Sequence, residues 1–520
     1  MTLSFTFLAP VVLLAVAGFA ASRPGRRPLG VPRASEHAAL AALGLALIGA
    51  LQLGFAGPCS LSVFDGVFLL SLRADLVTVA LVLLVAFIGW VVMRYSRTYL
   101  DGEAEEGRFH ALMLLTLASV LIFVQAGSLA VLVAATVLVG WALRKLLLFY
   151  RDRAEARRAA TKFALVWHGA DIALVGAALL LVLAYGTADI TGLALAAAET
   201  GGTGGPVTLA IALIVLAAVL KTAAFPLHGW LTEVMEAPTP VSALLHAGII
   251  NSGGVLLIAF AGLVQQSPGA MAALAMIGGF TALFGAAVML TQSAIKTSLA
   301  WSTVSQMGFL LLQCGLGLWA LALLHIVAHS LYKAHAFLSS GGAVQAVAGL
   351  RRPGPIAVPS VGAVVKSFAL ALALYAVIAT GFTFATGPKS AQALALGAIL
   401  IFGVAYLVAQ GLADLAPASL TKRTVLASAG AALAYFTFQA VAQALWAPVL
   451  PAVPVAGPLE WALLVLALAS FGFVAFAQAL FPLWAHHPST AGLRVHLANG
   501  FYLNALLDRA IGGFRNAPSN

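Results

Sequence analysis

His325, His329 and Lys333 recur at i, i+4 and i+8. On one helix that spacing draws a polar stripe about 12 Å long. Imidazole titrates near neutrality, so such a row can relay protons. It also fits structural hydrogen bonding, or a metal site if a third ligand such as a carboxylate or thiolate lies near in space. Lys221 stands about fifteen residues into another apolar stretch and is followed by Phe225-Pro226, a helix breaker. A break at bilayer depth frees carbonyls and a half-helix end, tolerated where it lines protein or a water-filled cavity. His246 lies in the middle of the next apolar stretch, and Asp171, inside an earlier one, is the clearest acid and a counter-ion candidate. Glu233 and Glu236 lie on or just after the second half of the broken helix and read equally as pathway or surface groups. Ionisable groups at bilayer depth are costly, so they mark a pathway by default.

The elements that must position these groups are membrane helices. Of 520 residues, 62% are hydrophobic and 8% charged, and mean hydropathy is +1.03. A soluble domain carries roughly 25% charged residues. The composition excludes a cytosolic enzyme, a nucleic-acid binder and a disordered chain. The net charge of +10 is dispersed between apolar segments, which is a membrane-topology pattern. Two cysteines, Cys59 and Cys314, cannot build an iron–sulfur cluster, a structural zinc site or a disulfide framework. No P-loop motif and no strand-bound dinucleotide fingerprint is present. ATP hydrolysis and hydride chemistry therefore lack a site on this chain, and any energy source is expected to be an ion gradient or a partner.

Apolar windows predict fifteen spans, at about 3–21, 37–57, 74–94, 109–126, 128–150, 162–186, 206–235 (interrupted), 239–265, 268–291, 297–315, 318–345, 361–386, 391–412, 422–445 and 458–485. The first is expected to stay, because MTLSF puts no positive charge ahead of its apolar run. Twenty cations, Lys162 among them, fall in loops after odd-numbered spans, and only Arg73 and Lys389 after even-numbered ones. The positive-inside rule then places the N-terminus outside and the C-terminus in the cytoplasm. Arg144, Lys145 and Lys366 lie near span ends and snorkel. The tail from about 486 is amphipathic: Phe501, Tyr502, Leu506, Leu507 and Ile511 share a helical stripe, with Asn504, Asp508 and Arg515 off it. That stripe suits docking on a partner or on the membrane surface.

The stretch LKTAAFPLHGWLTEVMEAPTPVSALLHAG (220–248) resembles the core signature of the antiporter-like subunits of respiratory complex I and Mrp cation/proton antiporters. IKTSLAWSTVSQMGFLLL (295–312) and LHIVAHSLYKAHAFLSSG (324–341) match the same family in order and spacing, and the likeness covers roughly 60–415. It implies an all-α polytopic membrane protein with two inverted five-helix repeats, each with a broken helix, around a hydrophilic axis. By resemblance, Lys221 takes the central broken-helix lysine and His246 the histidine after it. His325, His329 and Lys333 take the relay, and Asp171 the acid of the sixth helix. The implied organisation is N-terminal helices over 1–108, repeats over 109–265 and 266–415, C-terminal helices over 416–485 and a cytoplasmic tail over 486–520.

Departures narrow the likeness. The family places a glutamate after the tryptophan of the fifth helix, where this chain has Ala142. The second broken helix normally carries a lysine in a polar motif, for which TGPKSAQAL offers Lys389 in poor agreement. HAGIINSGGVLL and the tail HLANGFYLNALLDRAIGGF (496–514) look like DabB-type subunits of inorganic-carbon accumulation complexes. That resemblance implies a bacterial inner-membrane subunit with no cofactor of its own. It would pass H+ or Na+ inward to energise CO2 or bicarbonate uptake by a DabA-type, carbonic-anhydrase-like partner that carries zinc. The alternatives are a proton-pumping subunit of complex I and an Mrp-type antiporter.

Overall fold

The computed structural model describes residues 3–200, 204–349, 360–411, 418–484 and 487–510. It is built almost wholly of helices, in chain order α1 (Leu8–Ala21), α2 (Val31–Ala56), α3 (Leu76–Tyr99), α4 (Glu106–Val124), α5 (Leu129–Leu147), α6 (Ala154–Tyr185), α7 (Ile190–Glu199), α8 (Gly205–Lys221), α9 (Gly229–Thr232), α10 (Thr239–Ala247), α11 (Ser252–Ala259) and α12 (Ala261–Val264). There follow α13 (Pro268–Met289), α14 (Ile295–Gly315), α15 (Trp319–Gly349), α16 (Val361–Thr386), α17 (Ala391–Gly411), α18 (Ala418–Trp446), α19 (Pro458–Ala479), α20 (Phe481–Trp484), α21 (Ala491–Ala498) and α22 (Leu503–Ala510). Among the described residues, ten helices are long and apolar enough to cross a membrane, counting Thr239–Ala259 as one. Every apolar window holds helix.

Three details differ from the sequence expectation. The fold is not wholly helical. Strands β1 (Cys59–Val63) and β2 (Leu70–Ala74) pair antiparallel, with Cys59 opposite Ala74. Arg73 N–H donates to the Gln125 carbonyl and Gly127 N–H to the Ser71 carbonyl, so the hairpin pins the α4–α5 connection. Asp75 then starts α3 with a capping box: its carboxylate accepts from the Val77 and Thr78 amides, and Thr78 Oγ1 accepts from the Asp75 amide. Secondly, the window 239–265 is not one helix. Gly248 (φ −114°, ψ −73°) and a 3-10 turn over Ile249–Asn251 separate α10 from α11. Thirdly, α6 starts at Ala154, so Lys162 lies inside a helix and not in a loop. Its side chain is fully buried.

The core carries a signature that soluble cores lack. Its largest fully buried side chains include Trp167, Trp230, Trp319, Phe163 and Phe337, and Lys162, Lys221 and Lys333 are buried as completely. Lysine is almost never fully buried unless paired. Three such lysines need three local explanations, and these define the site.

Candidate ion pathway

Lys221 is the last residue of α8. The chain leaves the helix through Ala223, whose φ of 50° lies in the left-handed region, and crosses a cis Phe225–Pro226 bond. A helix end leaves carbonyls without intrahelical partners. Thr222 Oγ1 donates to the Ala218 and Val219 carbonyls, and Ala224 N–H also donates to Val219. Thr281 Oγ1 on α13 accepts from the Phe225 amide at 3.1 Å. Phe225 packs edge-on to Phe280 and Phe284, and His228 lies 4.9 Å from Trp301 between ring centroids. These contacts tie the break to α8 and α13 and place Lys221 at its edge in the interior.

Lys221 Nζ meets Asp171 Oδ1 of α6 at 2.7 Å and lies 3.9 Å from the centre of the Trp167 ring. A buried ammonium keeps its charge where an acid and an aromatic face both serve it. Trp167 is itself fixed, since its Nε1 donates to the Thr136 carbonyl at 3.2 Å. Gly140 on α5 makes room for its ring, because a Cβ there would collide with the indole. Ala142 is fully buried, so the acid beside the lysine comes from α6. Asp171 Oδ2 has no hydrogen-bond partner, and the half-exposed His168 stands 3.8 Å from it.

His246 lies in the last turn of α10, just before the Gly248 break. Its Nδ1 lies 3.1 Å from Thr303 Oγ1, which itself donates to the Leu299 carbonyl at 3.0 Å. A hydroxyl has one proton, so Nδ1 takes the donor role toward Thr303, and His246 Nε2 has no protein partner. Its ring stacks on Phe337 at 4.3 Å. Asn251 bridges the break: its Nδ2 donates to the Ala247 carbonyl at 2.9 Å and to Ser330 Oγ of α15 at 3.0 Å. Asn251 Oδ1 and Ser252 Oγ have no protein partner. Both residues line a cavity of about 30 Å³ that Trp167, Thr136 and Ser330 also bound. That volume suits one or two waters.

On α15, Lys333 Nζ donates to Ser302 Oγ at 2.8 Å and to the Leu299 carbonyl at 3.2 Å. Among the described residues, no acid pairs with it. The second lysine is therefore held by neutral groups, unlike the first. His325 Nδ1 lies 2.8 Å from Gln313 Oε1, and its ring centroid is 5.9 Å from that of His329. Neither nitrogen of His329 has a partner. Both histidines line a cavity of about 760 Å³ bounded by α13–α15 and α17–α19. Among the described residues, no group of three His, Cys, Asp or Glu side chains is placed to hold a metal, so the metal reading lacks its third ligand.

The remaining candidates lie off this row. Glu233 accepts from Lys162 Nζ at 2.6 Å, and Glu236 pairs with Arg153 at 2.8 Å. Lys389 sits half-buried in the connection between α16 and α17, where burial lowers its pKa below the ordinary lysine value. Neither helix is interrupted as α8 is. Phe501, Tyr502 and Leu506 are exposed, while Leu507 is half-buried and Ile511 lies outside the described residues.

Residues 126–352 match the family described as NADH:quinone oxidoreductase/Mrp antiporter, TM, and residues 63–110 match NADH-Ubiquinone oxidoreductase (complex I), chain 5 N-terminus. The "Probable inorganic carbon transporter subunit DabB2" of Halothiobacillus neapolitanus is 37% identical over 492 residues, which is 91% of this chain and 87% of that protein. The chain belongs to the DabB family. A second DabB, from Hydrogenovibrio crunogenus, is 44% identical over 263 residues, half of this chain and 51% of its own length. The fold resembles a chain in the structure of the Mrp complex from Dietzia sp., with a TM-score of 0.63 and 23% identity, over 98% of this chain and 59% of that one. A DabB-family chain is a multi-pass membrane subunit of the antiporter-like, cation-conducting class.

Sequence reasoning missed the uncharged members of this DabB-family site: Thr303, Asn251, Ser252, Ser302, Ser330 and Gln313. The signal was present. Each lies in or beside a quoted motif, and Ser330 directly follows His329. A polar residue in an otherwise apolar span asks for a partner.

Proposed function

We propose that this chain is a fifteen-span, two-repeat conductor that passes H+ or Na+ into the bacterial cytoplasm. It lies in the inner membrane with its N-terminus outside, and the conducted ion energises CO2 or bicarbonate uptake by a DabA-type, zinc-carrying, carbonic-anhydrase-like partner. The observation that carries the reading is the Lys221–Asp171 pair at the end of a broken helix, with a buried histidine–lysine row on α10 and α15 beyond it. A scaffold gains nothing from such groups, since each is costly at depth. The proton route joins the α15 histidines, Lys333 and His246, through water near Asn251 and Ser252, to Lys221 and Asp171. Carbon uptake should collapse under an uncoupler with ATP held constant; uptake that persists would show another energy source and refute the reading.

The partner docks on the tail. Phe501, Tyr502 and Leu506 are 44%, 42% and 61% exposed, enough apolar area to want a cover. Tyr502→Ser with Leu506→Ser leaves the Phe501–Phe284 contact and the buried Asp508 in place, and it should release the partner on co-purification. A complex that survives both changes would assign those side chains to the membrane surface instead.

A further inference from the structure

The third buried lysine belongs to none of these steps. Lys162 lies on α6 nine residues before Asp171, about 13 Å along the helix. Its side chain is fully buried; Nζ donates to Glu233 Oε1 at 2.6 Å and forms an ion pair with Asp508 Oδ1 at 2.6 Å that lacks hydrogen-bond geometry. Glu233 follows α9, in the returning half of the broken helix. Asp508 comes from α22, near the end of the described chain, and its side chain is 8% exposed. Phe163 and Trp167, on α6 between Lys162 and Asp171, pack with Trp230 as a cluster of buried rings. Phe163 lies 5.1 Å from Trp167 and 5.4 Å from Trp230, and the two indoles are 6.3 Å apart.

The trio is covered by α22, and it is the polar face of that helix that turns inward. Asn504 Nδ2 donates to Thr232 Oγ1 at 3.1 Å. Gly229 has no space for a Cβ, because the Asn504 amide occupies it. Before α22, Gln292 Nε2 donates to the Ala498 carbonyl, Phe501 packs on Phe284, and Gly500, at φ 55°, sits against Trp301. A buried lysine needs compensation, and here half of it comes from a separate small helix.

We propose that Lys162 and Glu233 form the inner exchange site of the ion path, where cations meet the cytoplasm, and that Asp508 latches α22 over it as a lid. The inference rests on the conduction reading and on its inward orientation. With the lid closed, Lys162 shares its charge between two carboxylates and is sealed from water, while the Glu233 side chain stays 25% exposed. With the lid lifted, Glu233 and Lys162 face water and exchange protons with it.

The test uses the full chain, purified with its partner. Asp508→Asn removes the latch charge and keeps the shape, and Asp508→Glu keeps the charge. Amide hydrogen exchange over Gly229–Glu236 should quicken about tenfold in Asp508→Asn, as expected when one buried ion pair loses a partner, and stay near wild type in Asp508→Glu. In a chain with Cys59→Ser and Cys314→Ser, Thr232→Cys and Asn504→Cys allow the lid to be closed with a short, reducible thiol-to-thiol linker. Linking should cut ion flux about tenfold, as expected for a lid whose opening gates turnover, and reduction should restore it. Unchanged exchange in Asp508→Asn, or full flux in the linked protein, would overturn the lid. Absence of flux in the unlinked wild type would instead refute the conduction reading, and the exchange measurement would still decide the lid.

Discussion

Lys221→Arg should bring ion-driven carbon uptake to background while the protein folds and assembles. Arginine keeps a cation that can pair with Asp171 and lie on Trp167, so the local structure retains its charge balance. A guanidinium does not deprotonate in proteins, so it cannot cycle between charged and neutral. Loss of a proton-transfer group costs about 10²–10⁴-fold. Lys221→Ala should reach the same background. Uptake is followed by labelled bicarbonate in cells, with complex assembly checked by co-purification. Full activity in Lys221→Arg would make the lysine a fixed charge and end the relay account.

Asp171→Asn should be the most destabilising single change at the site. It leaves Lys221 fully buried with a ring face and no acid. Breaking a buried pair by removing one partner costs about 3–5 kcal/mol, because the other charge stays behind. The double variant Asp171→Asn, Lys221→Met removes both charges and should recover most of that loss, although transport remains absent. Thermal unfolding of the purified protein measures the series. A single variant as stable as wild type would mean that the pair carries no weight in the fold.

How far the sequence is legible depends on the length of the signal. A membrane span is a twenty-residue apolar window, so α16 is found at its observed bounds of Val361–Thr386. The β1–β2 hairpin and α7 are shorter than that window and went unseen. The Gly248 break has no proline, and glycine pairs are common in membrane helices, so the window 239–265 reads as continuous. Lys221, His246 and the α15 row are legible because an ionisable side chain in an apolar run is conspicuous. That Asp171 meets Lys221 follows from how α6 packs on α8, which no periodicity encodes. Lys162 shows the opposite failure. It follows Arg157 and Arg158, so local composition reads it as a loop cation. Its burial is created by Glu233 and Asp508, both far along the chain.

The central claim is that this chain conducts a cation through Lys221. The direct measurement is ion entry into liposomes holding the purified complex, read by an internal pH or sodium dye after a gradient is imposed. Wild type should fill the vesicles, and Lys221→Arg should leak no faster than empty liposomes. Equal entry through the wild type and the arginine variant would contradict the account.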